Sequence, residues 1–313
     1  MKKAVLPNGK QVSSLCFGTL TMGPLQRGLS PQEGSSLLLH AFERGINFID
    51  TAEIYANYEH IGLALKSYRD ICVATKCYAY DEAGAKASYE KAVRGIGREY
   101  IDVFMLHEQE SEHTLRGHAE AIAYFLKKKD EGYIGELGIS THFIAGARAI
   151  AKHTELAVLH PIINKAGLGI CDGRLAEMEE AVSAAHAAGK FIYAMKPLGG
   201  GHLINDRKQA FSYVRALPFI DSIAVGMQTM HEIDYNISLF SDQTITEELA
   251  HKTGSRVRTL LIHDWCEGCG ACAKACANGA LHLENGKMIA DQDKCLFCGY
   301  CAAKCPQFCI KVI

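Results

Sequence analysis

"ICVATKCYAYDEAGAKASYEKAVRGIGREYIDVFMLH", residues 71–107, contains in one stretch the unit from which the fold is built. Its ends, residues 71–76 and 101–107, are short runs rich in β-branched and apolar side chains. Between them, residues 81–97 start at an acid, space their apolar positions at helical intervals and stop at a glycine. The unit reads as strand, helix, strand, and it recurs. Residues 14–18 (SLCFG), 47–50 (NFID), 135–140 (GELGIS), 158–164 (VLHPIIN), 191–196 (FIYAMK) and 222–226 (SIAVG) are six more such runs, and the amphipathic stretches 30–45 and 112–132 separate some of them. Eight strands alternating with helices predict an α/β fold, a (β/α)8 barrel of the TIM type. A doubly wound open sheet is the competing pattern; it calls for Gly-x-Gly-x-x-Gly after its first strand, and the sequence has none there. Ahead of the first strand, residues 4–12 with Asn8-Gly9 predict a hairpin closing the bottom of the barrel.

Chemistry in such a barrel sits where the strands end. The polar residues at those ends are Asp50, Lys76, His107, Ser140, Asn164 and Lys196, with Tyr55 five residues past Asp50. Each alone has a plain explanation: a helix cap, a solvated lysine, a packed histidine. At successive strand ends they form a constellation suited to delivering a proton to a carbonyl oxygen. A phenol acts as an acid near neutrality only if its conjugate base is stabilised, which Lys76 can do while Asp50 holds it charged and in place. His107 can orient the carbonyl or share the proton.

The other informative stretch is the tail. Nine of the thirteen cysteines fall after residue 265. Cys266, Cys269, Cys272 and Cys276 follow C-x2-C-x2-C-x3-C, and Cys295, Cys298, Cys301 and Cys305 repeat it twenty-nine residues later. Three thiolates on a tight loop can hold three irons of one cubane while the fourth reaches the other half, so each repeat lends its last cysteine to its neighbour. Paired zinc sites are the alternative, but they favour two separated C-x2-C pairs. Asn285-Gly286 between apolar runs predicts a hairpin linking the halves. Cys309 reads as a packed thiol, as do Cys16, Cys72 and Cys171, and Cys77 as a bystander beside Lys76.

The tail resembles the bacterial two-cluster ferredoxin. That resemblance implies one 4Fe-4S cluster on Cys266, Cys269, Cys272 and Cys305 and another on Cys295, Cys298, Cys301 and Cys276. The stretches "GINFIDTAEIYANYEHIGLAL", "ATK" and "YIDVFMLHE" resemble the aldo-keto reductase signatures. This second resemblance implies a catalytic tetrad of Asp50, Tyr55, Lys76 and His107, with Tyr55 as general acid, and an extended nicotinamide cofactor. Ser140, Thr141 and Asn164 would lie near its carboxamide. Lys196, Pro197, Leu198, Gly199, Gly200 and Gly201 would surround its pyrophosphate, where glycines admit phosphate oxygens to backbone N–H groups. Gly226, Gln228, Thr229, Glu232 and Asn236 would wrap the adenosine end. Two departures fall at the ring, His160 for a glutamine and Met195 for a tyrosine. Two more, Gly226 and Glu232, replace the cations that hold a 2'-phosphate, so NAD(H) is expected over NADP(H).

The expected organisation is therefore a barrel over residues 1–240, a helical linker over 241–262 and a small α+β ferredoxin-like domain over 263–313. The linker is expected to hold a helix of roughly 16 residues, about 24 Å long, with a capping box at Thr244 and Glu247, carrying the tail to the catalytic mouth as a wall of the substrate pocket. A formal net charge of -2 without a basic stripe argues against nucleic acid. No signal peptide or membrane span is visible, so a cytoplasmic location is expected. The partners expected are a small carbonyl or alcohol substrate and an external electron carrier. Nicotinamide passes two electrons at once and each cluster one, with no flavin motif between them. The alternative function is an electron-transfer or redox-sensing subunit that keeps the barrel as a scaffold.

Overall fold

The computed structural model describes residues 1–254, 258–295 and 300–313. Strands β1 (Lys3–Val5) and β2 (Gln11–Ser13) form the antiparallel hairpin expected at the start. Eight parallel strands then close a barrel: β3 (Leu15–Gly18), β4 (Phe48–Asp50), β5 (Cys72–Cys77), β6 (Ile101–Leu106), β7 (Ile134–Thr141), β8 (Val158–Pro161), β9 (Phe191–Met195) and β10 (Ser222–Gly226). Each pairs with its sequence neighbours, and β10 closes on β3. All eight predicted runs are barrel strands. Strands β5 and β6 are buried along their whole length, as expected of a sheet covered by helices outside and packed side chains inside.

The hairpin does close the bottom. Leu6 and Val12 join Cys16, Phe48, Cys72 and Phe191 in one apolar cluster near the N-terminal ends of the strands. Chemistry is thereby left to the other end, as the general rule for such barrels requires.

Helix boundaries follow the local signals. Pro31–Glu43 starts on a capping box between Ser30 and Glu33, and Glu82–Ile96 runs from the Asp81 cap to Gly97, whose φ of 73° ends it. The stretch 112–132 is two helices, Glu112–Gly117 and Ala119–Asp130, which meet at His118. The linker differs more. Among the described residues its helix is Glu247–Gly254, and Leu249 N donates to Thr246 Oγ1, so Thr246 is the cap in place of Thr244.

The tail is folded against the barrel. Strand β11 (Leu260–Ile262) pairs with β14 (Ile310–Val312), and β12 (Leu281–Glu284) with β13 (Lys287–Ala290) through the Asn285-Gly286 turn. Positive φ at both turn residues, 49° and 77°, is the two-residue hairpin geometry that the pair predicts. Because β11 belongs to the tail's own sheet, the tail begins by Leu260, inside the stretch expected to be linker. Among the described residues no helix is long and apolar enough to cross a membrane.

Candidate active site

The C-terminal ends of β4, β5 and β6 bring Asp50, Lys76 and His107 together, and the short helical turn Glu53–Tyr55 places Tyr55 over them. Lys76 Nζ donates to Asp50 Oδ1 at 2.7 Å and to Thr51 O at 2.7 Å, and it lies 5.1 Å from the Tyr55 ring centroid. The His107 ring stands edge-on to Tyr55 at 5.9 Å and is stacked on Tyr78 at 4.6 Å. Lys76 is only 1% exposed, so the ion pair with Asp50 is deeply buried, and Tyr55 alone of the four keeps partial access to solvent.

Burial, reinforced by the Asp50 and Glu108 carboxylates and by Tyr78, raises the Tyr55 phenol well above its ordinary range. The phenol therefore holds its proton in the resting protein. Burial, then Lys76 and Lys196, push the His107 imidazole well below its usual value, so it is neutral near pH 7. Its Nδ1 is buried with no hydrogen-bond partner among the described residues.

Around Asp50 stand His160, singled out in the sequence as a departure, and Tyr193, which was not visible in the motifs. Tyr193, on β9, donates its hydroxyl to Asp50 Oδ1 at 2.9 Å and stacks on His160 at 3.9 Å. His160 Nδ1 lies 2.6 Å from Tyr193 O, and burial holds its pKa at about 4, so its 3.6 Å approach to Asp50 is a contact of a neutral ring. Where a glutamine is usual, His160 thus supports Asp50 from below.

Two cavities meet at Tyr55. One, of about 590 Å³, is lined by Tyr55, His107, Glu108, His142, Cys171 and Lys196 from the barrel and by His263, Trp265, Gln307, Phe308 and Lys311 from the tail. The tail is a wall of the pocket, as expected. Cys171, expected to be packed, is exposed on this pocket. Backbone strain gathers here too. Glu108, Lys196 and Phe308 line it with φ of 51°, 56° and 47°, and Ala56, next to Tyr55, has 49°. Non-glycine residues rarely adopt such values, and where they do they cluster at functional sites.

The other cavity, about 180 Å³, runs from Asp50 and Tyr55 past Met195, Lys196, Pro197, Leu198, Gly200 and Gly201 to Gly226, Gln228, Glu232 and Asn236. Most of the expected cofactor residues therefore share one cleft. Ser140, Thr141 and Asn164 do not line it. Ser140 Oγ accepts from Glu108 N, Thr141 Oγ1 from Phe143 N, and Asn164 Oδ1 from Leu168 N. Thr229 caps the helix Met230–Phe240 by accepting from Glu232 N, and the Glu232 carboxylate accepts from Gln228 N at 2.7 Å.

The glycine loop also departs from expectation. Gly199 N and Gly201 N donate to the Lys196 and Leu198 carbonyls, and a Cβ on Gly201 would lie 2.1 Å from Val312 O. The space its missing side chain leaves is filled by β14. In this structure the cleft is roofed in part by Lys311 and Ile313 of the tail.

In the tail, Cys266, Cys272, Cys301 and Cys309 are buried in one apolar cluster, with Cys276, Cys295 and Cys305 packed against it; Cys298 lies outside the described residues. Gly268 N donates to Cys266 Sγ at 3.4 Å and Ala280 N to Cys276 Sγ at 3.3 Å, bonds that suit thiolate ligands. Cys305, from the second repeat, lies near enough to Cys272 of the first for their charges to interact, as the crossed arrangement of two cubanes requires. Cys309 is packed as expected, 1% exposed, with its Sγ 3.4 Å from that of Cys305. Among the described residues no three His, Cys, Asp or Glu side chains converge as a single ion would need.

The model of the Aldo/keto reductase family matches residues 14–216, and that of the 4Fe-4S dicluster domain matches residues 265–309. The chain belongs to the aldo/keto reductase family. Among similar proteins, the uncharacterized oxidoreductase YqkF of Bacillus subtilis is 23% identical over 282 residues, covering 75% of this chain and 91% of that one. An aldo-keto reductase of Mycolicibacterium paratuberculosis is 25% identical over 261 residues, covering 75% and 86%. The solved aldo-keto reductase AKR11C1 from Bacillus halodurans superposes with a TM-score of 0.65 at 21% identity, covering 82% of this chain and 96% of its own. This aldo/keto reductase thus has the family's parallel barrel and, at its C-terminus, a 4Fe-4S ferredoxin-like domain.

Proposed function

We propose that this oxidoreductase interconverts a carbonyl and an alcohol at Tyr55, using a nicotinamide cofactor, and that its tail carries two 4Fe-4S clusters for electron transfer. The observation that carries the reading is the buried Asp50–Lys76 pair set 5.1 Å under the Tyr55 ring, at the mouth of a 590 Å³ pocket. As negative charge develops on a substrate oxygen, Tyr55 gives up its proton toward that oxygen. Lys76 offsets the charge left on the phenolate, and Asp50, braced by Tyr193 and His160, keeps Lys76 from drifting. Neutral His107 orients the carbonyl as a donor without competing for the proton.

When bound, the nicotinamide supplies a hydride to the carbonyl carbon, and the clusters exchange single electrons with a carrier. The residues that would hold the dinucleotide are Pro197, Leu198, Gly200, Gly201, Gly226, Gln228 and Asn236, with Glu232 favouring the free ribose hydroxyl of NAD(H) over the 2'-phosphate of NADP(H), while Lys196, expected at the pyrophosphate, is held by His142 instead. Cys266, Cys269, Cys272 and Cys305 would hold one cluster, and Cys295, Cys298, Cys301 and Cys276 the other.

The test is turnover of a carbonyl panel by anaerobically purified, iron-loaded protein with NADH. Tyr55→Phe is expected to lower kcat by about 10²-fold or more while NADH binding persists. Wild-type inactivity on every member of the panel would favour the electron-transfer subunit instead.

A further inference from the structure

Two lysines, one from each domain, enter the pocket beside Tyr55. Lys196 follows β9, and Lys311 is the middle residue of β14 in the tail. Their ammonium groups lie 5.2 Å and 3.3 Å from the centroid of the Phe308 ring that lies between the two elements. Lys311 is 5% exposed. Lys196 Nζ donates to His142 Nε2 at 2.7 Å and Lys311 Nζ donates to Phe308 O, and among the described residues neither is in an ion pair.

Buried ammonium groups without a carboxylate are costly, and proteins ordinarily avoid leaving them so. The carboxylates on this pocket, Glu108 and Glu110, are exposed at its rim, and Glu108 accepts from the Tyr78 hydroxyl. Burial and the neighbouring Lys196 also lower the Lys311 pKa well below its ordinary range, so the floor takes up its full positive charge when an anion is placed against it, whereas the rim is negative. Both lysines also border the cleft that runs toward Gly226, so they stand at the junction of the two cavities. The two ammonium groups and His142, grouped around Phe308, make a polar cluster in the pocket that Tyr55 also lines, with Leu20, Leu25 and Ile54 among its apolar walls. An anion placed there would accept charge-assisted hydrogen bonds from groups already held in position.

We propose that Lys196 and Lys311 form an anion subsite shared by the barrel and the tail, so that the carbonyl substrate carries a carboxylate. This rests on the carbonyl reading of the Tyr55 site. It also gives the ferredoxin-like domain a share in substrate choice, because one of the two cations is its own.

The probe is oxalate, titrated by calorimetry into the anaerobic holoprotein. Saturable binding is expected, weakened by about tenfold or more in Lys196→Met and in Lys311→Met and retained within about threefold in Lys311→Arg. With 4-carboxybenzaldehyde and benzaldehyde as substrates, the ratio of their kcat/KM values should fall by about tenfold in each methionine variant. If a methionine variant fails to take up iron, the wild type still decides, because oxalate must bind it saturably and compete with 4-carboxybenzaldehyde. The proposal is overturned if wild type binds no oxalate, if both methionine variants bind it unchanged, or if NADH affinity falls in step with oxalate affinity, which would assign the lysines to the dinucleotide. A shifted cluster potential with unchanged oxalate binding would likewise overturn it and make Lys311 a tuner of the cluster. Loss of oxalate binding in the variants of a chain that turns over no carbonyl would sink the carbonyl reading and leave the subsite standing.

Discussion

At the scale of the residue, the site depends on one buried charge pair. Asp50 accepts from both Lys76 and the Tyr193 hydroxyl, so Lys76→Met would leave a carboxylate in the barrel without its cation. Removing one partner of such a pair costs about 3–5 kcal/mol. The expected outcome is a loss of that size in urea unfolding followed by the barrel's circular dichroism, alongside a fall in kcat. Asp50, Lys76, His107 and Tyr55 were legible because strand ends announce themselves by position. Tyr193 and His142 were not: the first reads as core and the second as an ordinary loop histidine until the barrel closes and its neighbours appear. Lys196 offers a test by pH. Burial brings its pKa down to about 8, against the opposing pull of Glu108, Cys171 and Asp50, while Lys76 adds to the lowering. Its ammonium is charged below that value and lost above it. His142, which accepts its hydrogen bond, stays neutral throughout because burial and the two lysines hold it well below its usual range. Lys311 faces the same anion and is lowered well below its ordinary range by burial and Lys196, so oxalate affinity is expected to fall as pH rises toward and through about 8, and a profile flat from pH 7 to 9 would count against Lys196 as the anion's partner.

At the scale of the element, the legible parts were those whose periodicity is local. Strands β3 to β10 and the helix from Asp81 to Gly97 are written in apolar spacing and caps, so each could be placed without its neighbours. The loop 196–201 could not, because what its glycines accommodate depends on a strand more than a hundred residues away. Gly201 sits at a φ of 93° with the Val312 carbonyl where a Cβ would go. Gly201→Ala therefore meets both a strained backbone and a clash. We expect it to destabilise the docked β14 by about 1–3 kcal/mol, seen as faster proteolytic removal of the tail while the barrel survives. Gly132→Ala is the control: its φ of 82° imposes a similar strain, but nothing lies within 4 Å of its Cβ, so the tail should remain as resistant as in wild type.

At the scale of the whole molecule, the question is whether the iron-sulfur domain is an appendage or part of the reductase. Cys305 decides it, because it joins three things: Cys272 of the first repeat, the buried Cys309, and the segment Gln307 to Lys311 that walls the pocket. Replacing it with serine removes a ligand of one cluster under the crossed arrangement and should lower iron content by about half. If the tail were independent, KM for a carbonyl substrate would not change. Because Phe308 and Lys311 lie a few residues beyond Cys305 in the same strand approach, loss of the cluster is expected to shift them and to raise that KM by about tenfold, with kcat less affected since Tyr55, Lys76 and Asp50 belong wholly to the barrel. The paired measurement is iron content and the steady-state constants on one preparation of Cys305→Ser. A halved iron content with an unchanged KM would show that the pocket wall holds its shape without the cluster, and the two domains would then be joined by geometry alone.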